Sequence, residues 1–272
     1  MTALLMVLAG CSAPDAAEPP AARTSASAST SISSEPAAPT QSAPAPATGS
    51  APPPPAAPAP VVVLDPGHNG GNAAHPEVIN APVPDGAGGT KPCNTTGTET
   101  NAGYPEHAFT WDVALRMRDR LTAAGITVVL TRQDDVGVGP CVDVRGQLSA
   151  QVGAAAFVGI HGDGADAGGR GFHVITSSRA PAGPAVAAGS SALAAAVRDA
   201  LTGVEPVSTY TGRNGLNPRP DLAGLNLNAV PAVYVECGNM RNATDAALMS
   251  GADGREAIAA QLTAGVLAFL GR

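Results

Sequence analysis

Short apolar runs alternate with longer amphipathic stretches from Val61 to the end of the chain, and this alternation constrains the fold more than any other feature. The runs predict strands at 61–64, 126–131, 155–161, 172–176 and 232–236. Helical periodicity predicts helices at 106–124, near 144–152, at 185–201 and at 255–269. Strands that alternate with helices indicate an α/β fold, with a mainly parallel twisted sheet covered by helices on both faces.

The composition divides the chain into a leading segment and one domain. The first sixty residues are rich in Ala, Pro, Ser and Thr and contain no aromatic residue. Such a sequence cannot bury a core, so we expect residues 12–60 to form a disordered tether. Residues 61–272 suit a single domain. Within it, 72–104 is rich in Gly, Pro, Asn and Thr, and we expect a long functional loop without regular elements.

Charge limits the partners. The formal net charge is −7, and no run of Lys and Arg occurs. Phosphate binding depends on positive charge, so we do not expect a nucleic-acid partner. We expect the protein to act as a monomer.

The first eleven residues resemble an export signal. A short apolar stretch ends in Leu8-Ala9-Gly10-Cys11, which resembles a bacterial lipobox. The resemblance implies cleavage before Cys11, a lipid on its sulfur and an anchor in the membrane, and therefore an extracytoplasmic location. An ordinary cleaved signal is the alternative.

Two cysteines of the domain are candidates for a disulfide. Cys93 lies in the long loop, and Cys141 precedes the second predicted helix. Oxidation is permitted outside the cytoplasm, so we expect these two residues to be linked, with two free thiols as the alternative. Cys237 ends an apolar run and is expected to be a small core residue.

Four side chains at strand or helix ends are candidates for one site. His68 follows the first predicted strand, His161 ends a later one, and Glu236 ends the last. The carboxyl ends of parallel strands meet at one edge of the sheet, where ligands bind. Glu106 begins the first predicted helix, and two histidines with one glutamate form a known catalytic zinc set. Taken singly, each has a simpler explanation: a surface histidine, a helix-dipole carboxylate or an ion-pair partner.

The motifs around these residues resemble a known family. Asp65-Pro66-Gly67-His68, the early-helix Glu106, Ile160-His161-Gly162-Asp163 and the segment 231–240 occur in the order typical of the zinc-dependent N-acetylmuramoyl-L-alanine amidases of the Amidase_3 type. The resemblance implies hydrolysis of the amide between N-acetylmuramic acid and the L-alanine of the peptidoglycan stem. It also implies that His68, Glu106 and His161 bind Zn²⁺ and that Glu236 is the catalytic carboxylate.

Other assignments stay open at this stage. The long loop leaves Glu77 and Glu99 as alternative ligands, and helix context favours Glu106. Arg213, Asn214 and Asn226 are candidates for contacts with peptide or sugar. His75, His107 and His173 are not expected to be ligands. A zinc carboxypeptidase, another amidohydrolase of wall peptides and a non-catalytic wall-binding module are the alternative functions.

Overall fold

The computed structural model describes residues 58–272. The predicted signal segment with Cys11 and nearly all of the predicted tether therefore lie outside the described residues. Within 58–272, no helix combines the length and the apolar character needed to cross a bilayer.

Eight strands occur in this part of the chain. They are β1 (Val61–Pro66), β2 (Pro82–Pro84), β3 (Thr90–Pro92), β4 (Thr127–Leu130), β5 (Ala156–Asp163), β6 (His173–Ser177), β7 (Leu216–Arg219) and β8 (Ala232–Asn239). Six of them form one sheet in the order β4-β1-β5-β8-β6-β7, and β2 pairs with β3 as a separate hairpin.

Seven α-helices and one short 3₁₀ turn at Asn72–Ala74 connect the strands. The helices are α1 (Pro76–Ile79), α2 (Glu106–Ala123), α3 (Val142–Gln151), α4 (Pro184–Leu201), α5 (Ala223–Asn226), α6 (Ala243–Ser250) and α7 (Ala252–Phe269).

The sheet is mainly parallel, as the sequence predicts. Strands β4, β1, β5 and β8 pair in parallel. Strand β6 pairs antiparallel with β8 and parallel with β7, so the last two strands at this side of the sheet run the other way. The alternation of strands and helices indicates the fold class but not the direction of β6, because both directions are compatible with its apolar sequence.

Helices cover both faces of the sheet. On one face, α2 packs against β1 and β5, α4 packs against β6 and β8, and α7 packs against α2 and α4. Helix α2 contributes a buried stripe of Phe109, Val113, Met117 and Leu121. The 3–4 residue spacing of this stripe is the periodicity that predicts the helix. On the other face, a smaller core around Phe157 and Tyr234 is covered by α3 and α5. The α/β prediction is confirmed.

The prediction that 72–104 lacks regular elements is wrong. The segment contains the 3₁₀ turn, α1 and the β2–β3 hairpin. Each element is only three or four residues long, which is too short for hydrophobic periodicity to reveal it. Hydrogen bonds hold the hairpin in place: Asn226 Nδ2 donates to the Asp85 carbonyl at 3.2 Å, and Cys93 N donates to Ala81 O at 2.8 Å.

The structure links Cys93 to Cys141 by a disulfide that spans 48 residues. The backbone N–H of Val142 also donates to Cys93 O at 2.8 Å. The bond thus fixes the end of the hairpin to the start of α3. Cys237 is a free thiol, fully buried in the core.

Reduction of this disulfide should destabilise the domain. For a closed loop of this length, the chain-entropy model gives a stabilisation of roughly 4 kcal/mol, which corresponds to a decrease in melting temperature of roughly 8–16 °C for a domain of this size. Differential scanning fluorimetry with and without reductant measures the change. The double variant Cys93→Ser/Cys141→Ser is the control, because reductant should not change its melting temperature. Thiol labelling shows whether reduction is complete. If the melting temperature of the fully reduced parent protein is unchanged, the prediction is contradicted.

Candidate metal centre

The order of the strands creates a crevice at the carboxyl edge of the sheet. After β1 the chain continues to β4 on one side, and it then returns to β5 on the other side of β1. In open α/β sheets, ligands bind where the strand order reverses in this way. His68 follows β1, and His161 lies in the last half of β5. The topology therefore brings the two histidines to one crevice.

Glu106 lies between these two histidines. Its Oε1 is 3.1 Å from His68 Nε2 and 3.0 Å from His161 Nδ1. The potential ligand atoms of the three residues all lie within 4.8 Å of one another. Backbone N–H groups complete the surroundings of the carboxylate, since Thr98 N donates to Oε2 at 2.9 Å and Gly162 N donates to Oε1 at 3.1 Å.

Burial and charge act in opposite directions on the ionisation of this cluster. Burial alone would raise the pKa of the Glu106 carboxyl, but the charges and hydrogen bonds of His68 and His161 hold it below its usual value. Burial would lower the pKa of His68, whereas the adjacent Glu106 carboxylate raises it, and the net pKa is raised. Glu106 is therefore ionised in the cluster, and one imidazole nitrogen of His68 and one of His161 lie next to its carboxylate.

The rings of both histidines are fixed by their neighbours. His68 Nδ1 donates to Thr95 O at 3.0 Å, which directs Nε2 towards the Glu106 carboxylate. A hydrogen bond to the second ring nitrogen is the usual way in which proteins orient a metal-binding histidine. The His161 ring packs against Tyr234 with ring centroids 5.0 Å apart. A Cβ on Gly67 would lie 2.3 Å from His161 Cε1, so the Asp-Pro-Gly-His motif needs glycine at this point.

A buried arginine holds the backbone of the first ligand. His68 adopts a left-handed conformation, with φ of 62°, which is costly for a residue with a side chain. The Arg145 guanidinium lies beneath it and donates to His68 O, Pro66 O and Asp65 Oδ1, each at 2.9 Å. Its Nε donates to Pro140 O at 2.8 Å, next to the disulfide. This network fixes the position from which His68 reaches the cluster.

Glu236 lies beside His161 on the neighbouring strand, where the two residues are paired in register. Its Oε2 is buried and has no hydrogen-bond partner among residues 58–272. Burial, followed by the nearby Glu106 and Asp163 carboxylates, raises the pKa of Glu236 to about 8, although His161 opposes the shift. Native structures rarely leave a buried carboxylate oxygen without a partner, except where a ligand or a reacting group completes its surroundings.

The remaining predicted site residues lie elsewhere. Arg213 and Asn214 are exposed in a turn before β7 and do not line the crevice. Asn226 is buried in α5, and its side-chain amide is used by Ser177 Oγ, Asp85 O and Pro220 O. Asn226 therefore supports the hairpin, and the structure brings none of these three residues to the cluster.

The other candidate ligands are engaged outside the cluster or do not reach it. His75 pairs with Glu77 at the surface, and His107 pairs with Asp135. Glu99 is exposed and takes part in a β-bridge with Pro105. His173 is buried next to Tyr210. Within the described part of the chain, the group of potential metal ligands contains only His68, Glu106 and His161.

The crevice continues into a cavity of about 420 Å³. The cluster and Glu236 line one part, and Lys91, Arg219 and Asp221 line another. Sequence patterns do not indicate these last three residues, because they lie in short elements that have no periodicity. The sequence does contain one feature that singles out Lys91, because it is the only lysine in the 272 residues.

The donor set fits a divalent transition metal ion. Two imidazole nitrogens and one carboxylate are a typical catalytic zinc set. Tetrahedral ligands of zinc lie about 3.3 Å from one another, given bonds of about 2.0–2.1 Å. The observed separations of 3.1 and 3.0 Å match this spacing. His68 Nε2 faces the Glu106 carboxylate, and Glu236 Oε2 has no hydrogen-bond partner among residues 58–272, which is consistent with a cation held by the cluster and a reactant beside Glu236.

The fold and the cluster define a metal-dependent hydrolase of the α/β class. The sequence profile of the Amidase_3 family, described as N-acetylmuramoyl-L-alanine amidase, matches residues 62–268. The chain belongs to this family.

Individual relatives agree with this placement. The chain is 48% identical over 213 residues to the N-acetylmuramoyl-L-alanine amidase Rv3717 of Mycobacterium tuberculosis, covering 77% of this chain and 86% of that protein. It resembles the crystal structure of the N-acetylmuramyl-L-alanine amidase Ami1 from Mycobacterium smegmatis, with a TM-score of 0.75, 47% identity and coverage of 79% and 98%. The amidase AmiC2 of Nostoc punctiforme shares the fold, with a TM-score of 0.59, 21% identity and coverage of 78% and 98%.

Loss of either histidine should remove the metal. We expect the purified protein to contain about one metal ion per chain, and His68→Ala and His161→Ala each to lose most of it, since each removes one of three protein ligands. Elemental analysis after gel filtration measures the content. His75→Ala is the matched control, because the His75 side chain is exposed and pairs with the surface residue Glu77, and this variant should keep its metal. Full metal content in both ligand variants would mean that the metal binds elsewhere.

Proposed function

We propose that the protein is a zinc-dependent peptidoglycan hydrolase that cleaves the amide between N-acetylmuramic acid and the L-alanine of the stem peptide. Membership of the amidase family supports the substrate and the bond. The observation that carries the mechanism is the juxtaposition of a two-histidine, one-glutamate cluster with the Glu236 carboxylate, whose buried Oε2 has no hydrogen-bond partner among residues 58–272.

His68, Glu106 and His161 would hold the zinc ion. When bound, zinc polarises a carbonyl group and lowers the pKa of a coordinated water to about 7. Zinc is preferred to a harder cation because imidazole nitrogen supplies two of the three donors. Arg145 and Thr95 keep His68 in place, and Tyr234 supports the ring of His161.

Glu236 would act as the general base and then as the general acid. In the ionised form of Glu236, Oε2 accepts a proton from the attacking water, whose oxygen forms a bond with the carbonyl carbon. The C–N bond then breaks, and Oε2 returns the proton to the nitrogen of the departing alanine. Oε2 has no hydrogen bond that this proton transfer would break. General acid–base groups typically contribute about 10²–10⁴ in rate.

The location follows from the substrate. Peptidoglycan lies outside the cytoplasmic membrane, so the domain acts in the cell envelope. We further propose that Cys11 carries a lipid anchor, that residues 12–60 tether the catalytic domain at 61–272, and that the protein works as a monomer. The lipobox-like sequence supports the anchor, and the family match from residue 62 supports the boundary.

The products of digestion test this function. Mass spectrometry of purified muropeptides after incubation with the protein should find free stem peptides that begin with L-alanine, together with sugar chains that lack peptide. Loss of only a terminal D-alanine would instead identify a carboxypeptidase and contradict the proposal. Digests that stay unchanged with metal-loaded, folded protein would contradict hydrolysis altogether.

The variant Glu236→Gln tests the proposed proton transfer in the same assay. Glutamine keeps the shape of the side chain but cannot accept the proton, so release of stem peptides should fall by at least about 10²-fold while the metal content stays the same. Glu256→Gln, on the exposed surface of α7, is the matched control and should keep full activity. Normal activity of Glu236→Gln would refute the catalytic role, and loss of metal would make Glu236 a ligand.

A further inference from the structure

The cavity extends from the metal cluster towards the β2–β3 hairpin and the end of β7. It is large enough to hold several residues of a substrate in addition to the scissile bond. The part of the cavity farther along the sheet is lined by Lys91 on β3, Arg219 on β7 and Asp221. None of these residues belongs to the metal cluster.

Of the Lys and Arg side chains that line the cavity, only Lys91 forms no ion pair within residues 58–272. Arg145 is paired with Asp65 at 2.9 Å, and Arg219 Nη2 is paired with Asp221 Oδ2 at 2.6 Å. Lys91 Nζ makes one hydrogen bond, to the backbone carbonyl of Asp221 at 3.2 Å, and forms no ion pair within residues 58–272. The Asp221 carboxylate beside it is already engaged by Arg219 through two hydrogen bonds.

Lys91 is also held in a defined position. It lies two residues before Cys93, whose disulfide fixes the hairpin to α3. Asn226 binds the Asp85 carbonyl at the other end of the same hairpin. An ammonium group has three N–H donors, and only one of them is used here. The sole lysine of an acidic chain with net charge −7 thus faces the proposed substrate cavity with two free donors.

We propose that Lys91 is a specificity residue that binds a free carboxylate of the stem peptide, beside the Arg219–Asp221 ion pair. The inference rests on the proposed amidase function, because it assigns the peptide side of the substrate to this part of the cavity. An overall negative protein repels an acidic peptide, and a local uncompensated cation offsets that repulsion where the peptide must lie. The ligand class is an acidic peptide, and a neutral saccharide or an amidated peptide gains much less at this position.

Two synthetic substrates distinguish binding of a substrate carboxylate by Lys91 from a general effect of Lys91 on activity. Both are N-acetylmuramoyl peptides that begin with L-alanine, and they differ only in whether the side-chain and terminal carboxyl groups of the following residues are free or converted to carboxamides. A hydrogen bond between charged groups contributes enough for a roughly 10- to 100-fold effect. Lys91→Gln should therefore lower kcat/KM for the acidic substrate by roughly this factor, mainly through KM, and leave the amidated substrate within about twofold.

Three controls make the result specific. Lys91→Arg keeps the charge and should keep the preference for the acidic substrate. Arg118→Gln removes one positive charge from an exposed position on α2, where Arg118 pairs with Asp119. This variant should leave kcat/KM unchanged for both substrates. Unchanged melting temperature and metal content show that each variant is folded.

The outcomes distinguish a failure of the carboxylate site at Lys91 from a failure of the amidase function. Equal losses on both substrates in Lys91→Gln, or no loss on either, would overturn the carboxylate site while leaving the amidase function standing. Failure of the parent protein to release alanine peptides from either substrate would overturn the amidase function and the carboxylate site with it.

Discussion

The structure depends on a buried carboxylate placed between two imidazoles. Glu106 is only 3% exposed, and a buried carboxylate needs nearby donors or positive charge to remain ionised. His68, His161 and the N–H groups of Thr98 and Gly162 provide them. These partners come from three separate parts of the chain, so the sheet, helix α2 and the long loop must assemble before the carboxylate is satisfied.

A second buried ion pair supports the first. Arg145 and Asp65 are each about 2% exposed or less, and removal of one partner of such a pair is typically strongly destabilising. The Arg145 guanidinium also connects the backbone at His68 with Pro140, and the neighbouring Cys141 is joined to Cys93. Stability and ligand position are thus carried by the same residues, which explains how a left-handed His68 is maintained at the entrance of the site.

Sequence patterns predict the parts of this arrangement that have strong periodicity. The buried runs of β1, β5 and β8 and the apolar stripe of α2 specify the sheet and place four functional candidates at its edge. The resemblance to a family adds the expected roles. Arg213 and Asn214, the predicted substrate contacts, are polar residues in a turn. Composition alone does not say whether such a turn faces the crevice or the solvent.

Long-range packing decides what the sequence leaves open. The hairpin that carries Lys91 consists of two three-residue strands, and it is held by a disulfide and a side-chain amide from distant segments. The clamp by Arg145 depends on a contact across 77 residues. Local patterns contain no information about either, and both become evident only once the strands are in register.

X-ray absorption spectroscopy at the zinc edge of the protein as isolated tests the central claim most directly, because it reports the metal and its ligand types together. The account predicts zinc surrounded only by nitrogen and oxygen, with the multiple-scattering signal of two imidazole rings. A sulfur ligand would contradict it, because the only free thiol among residues 58–272 is the buried Cys237. Signals from one imidazole or none would also contradict it, because His68 and His161 would then not share the metal.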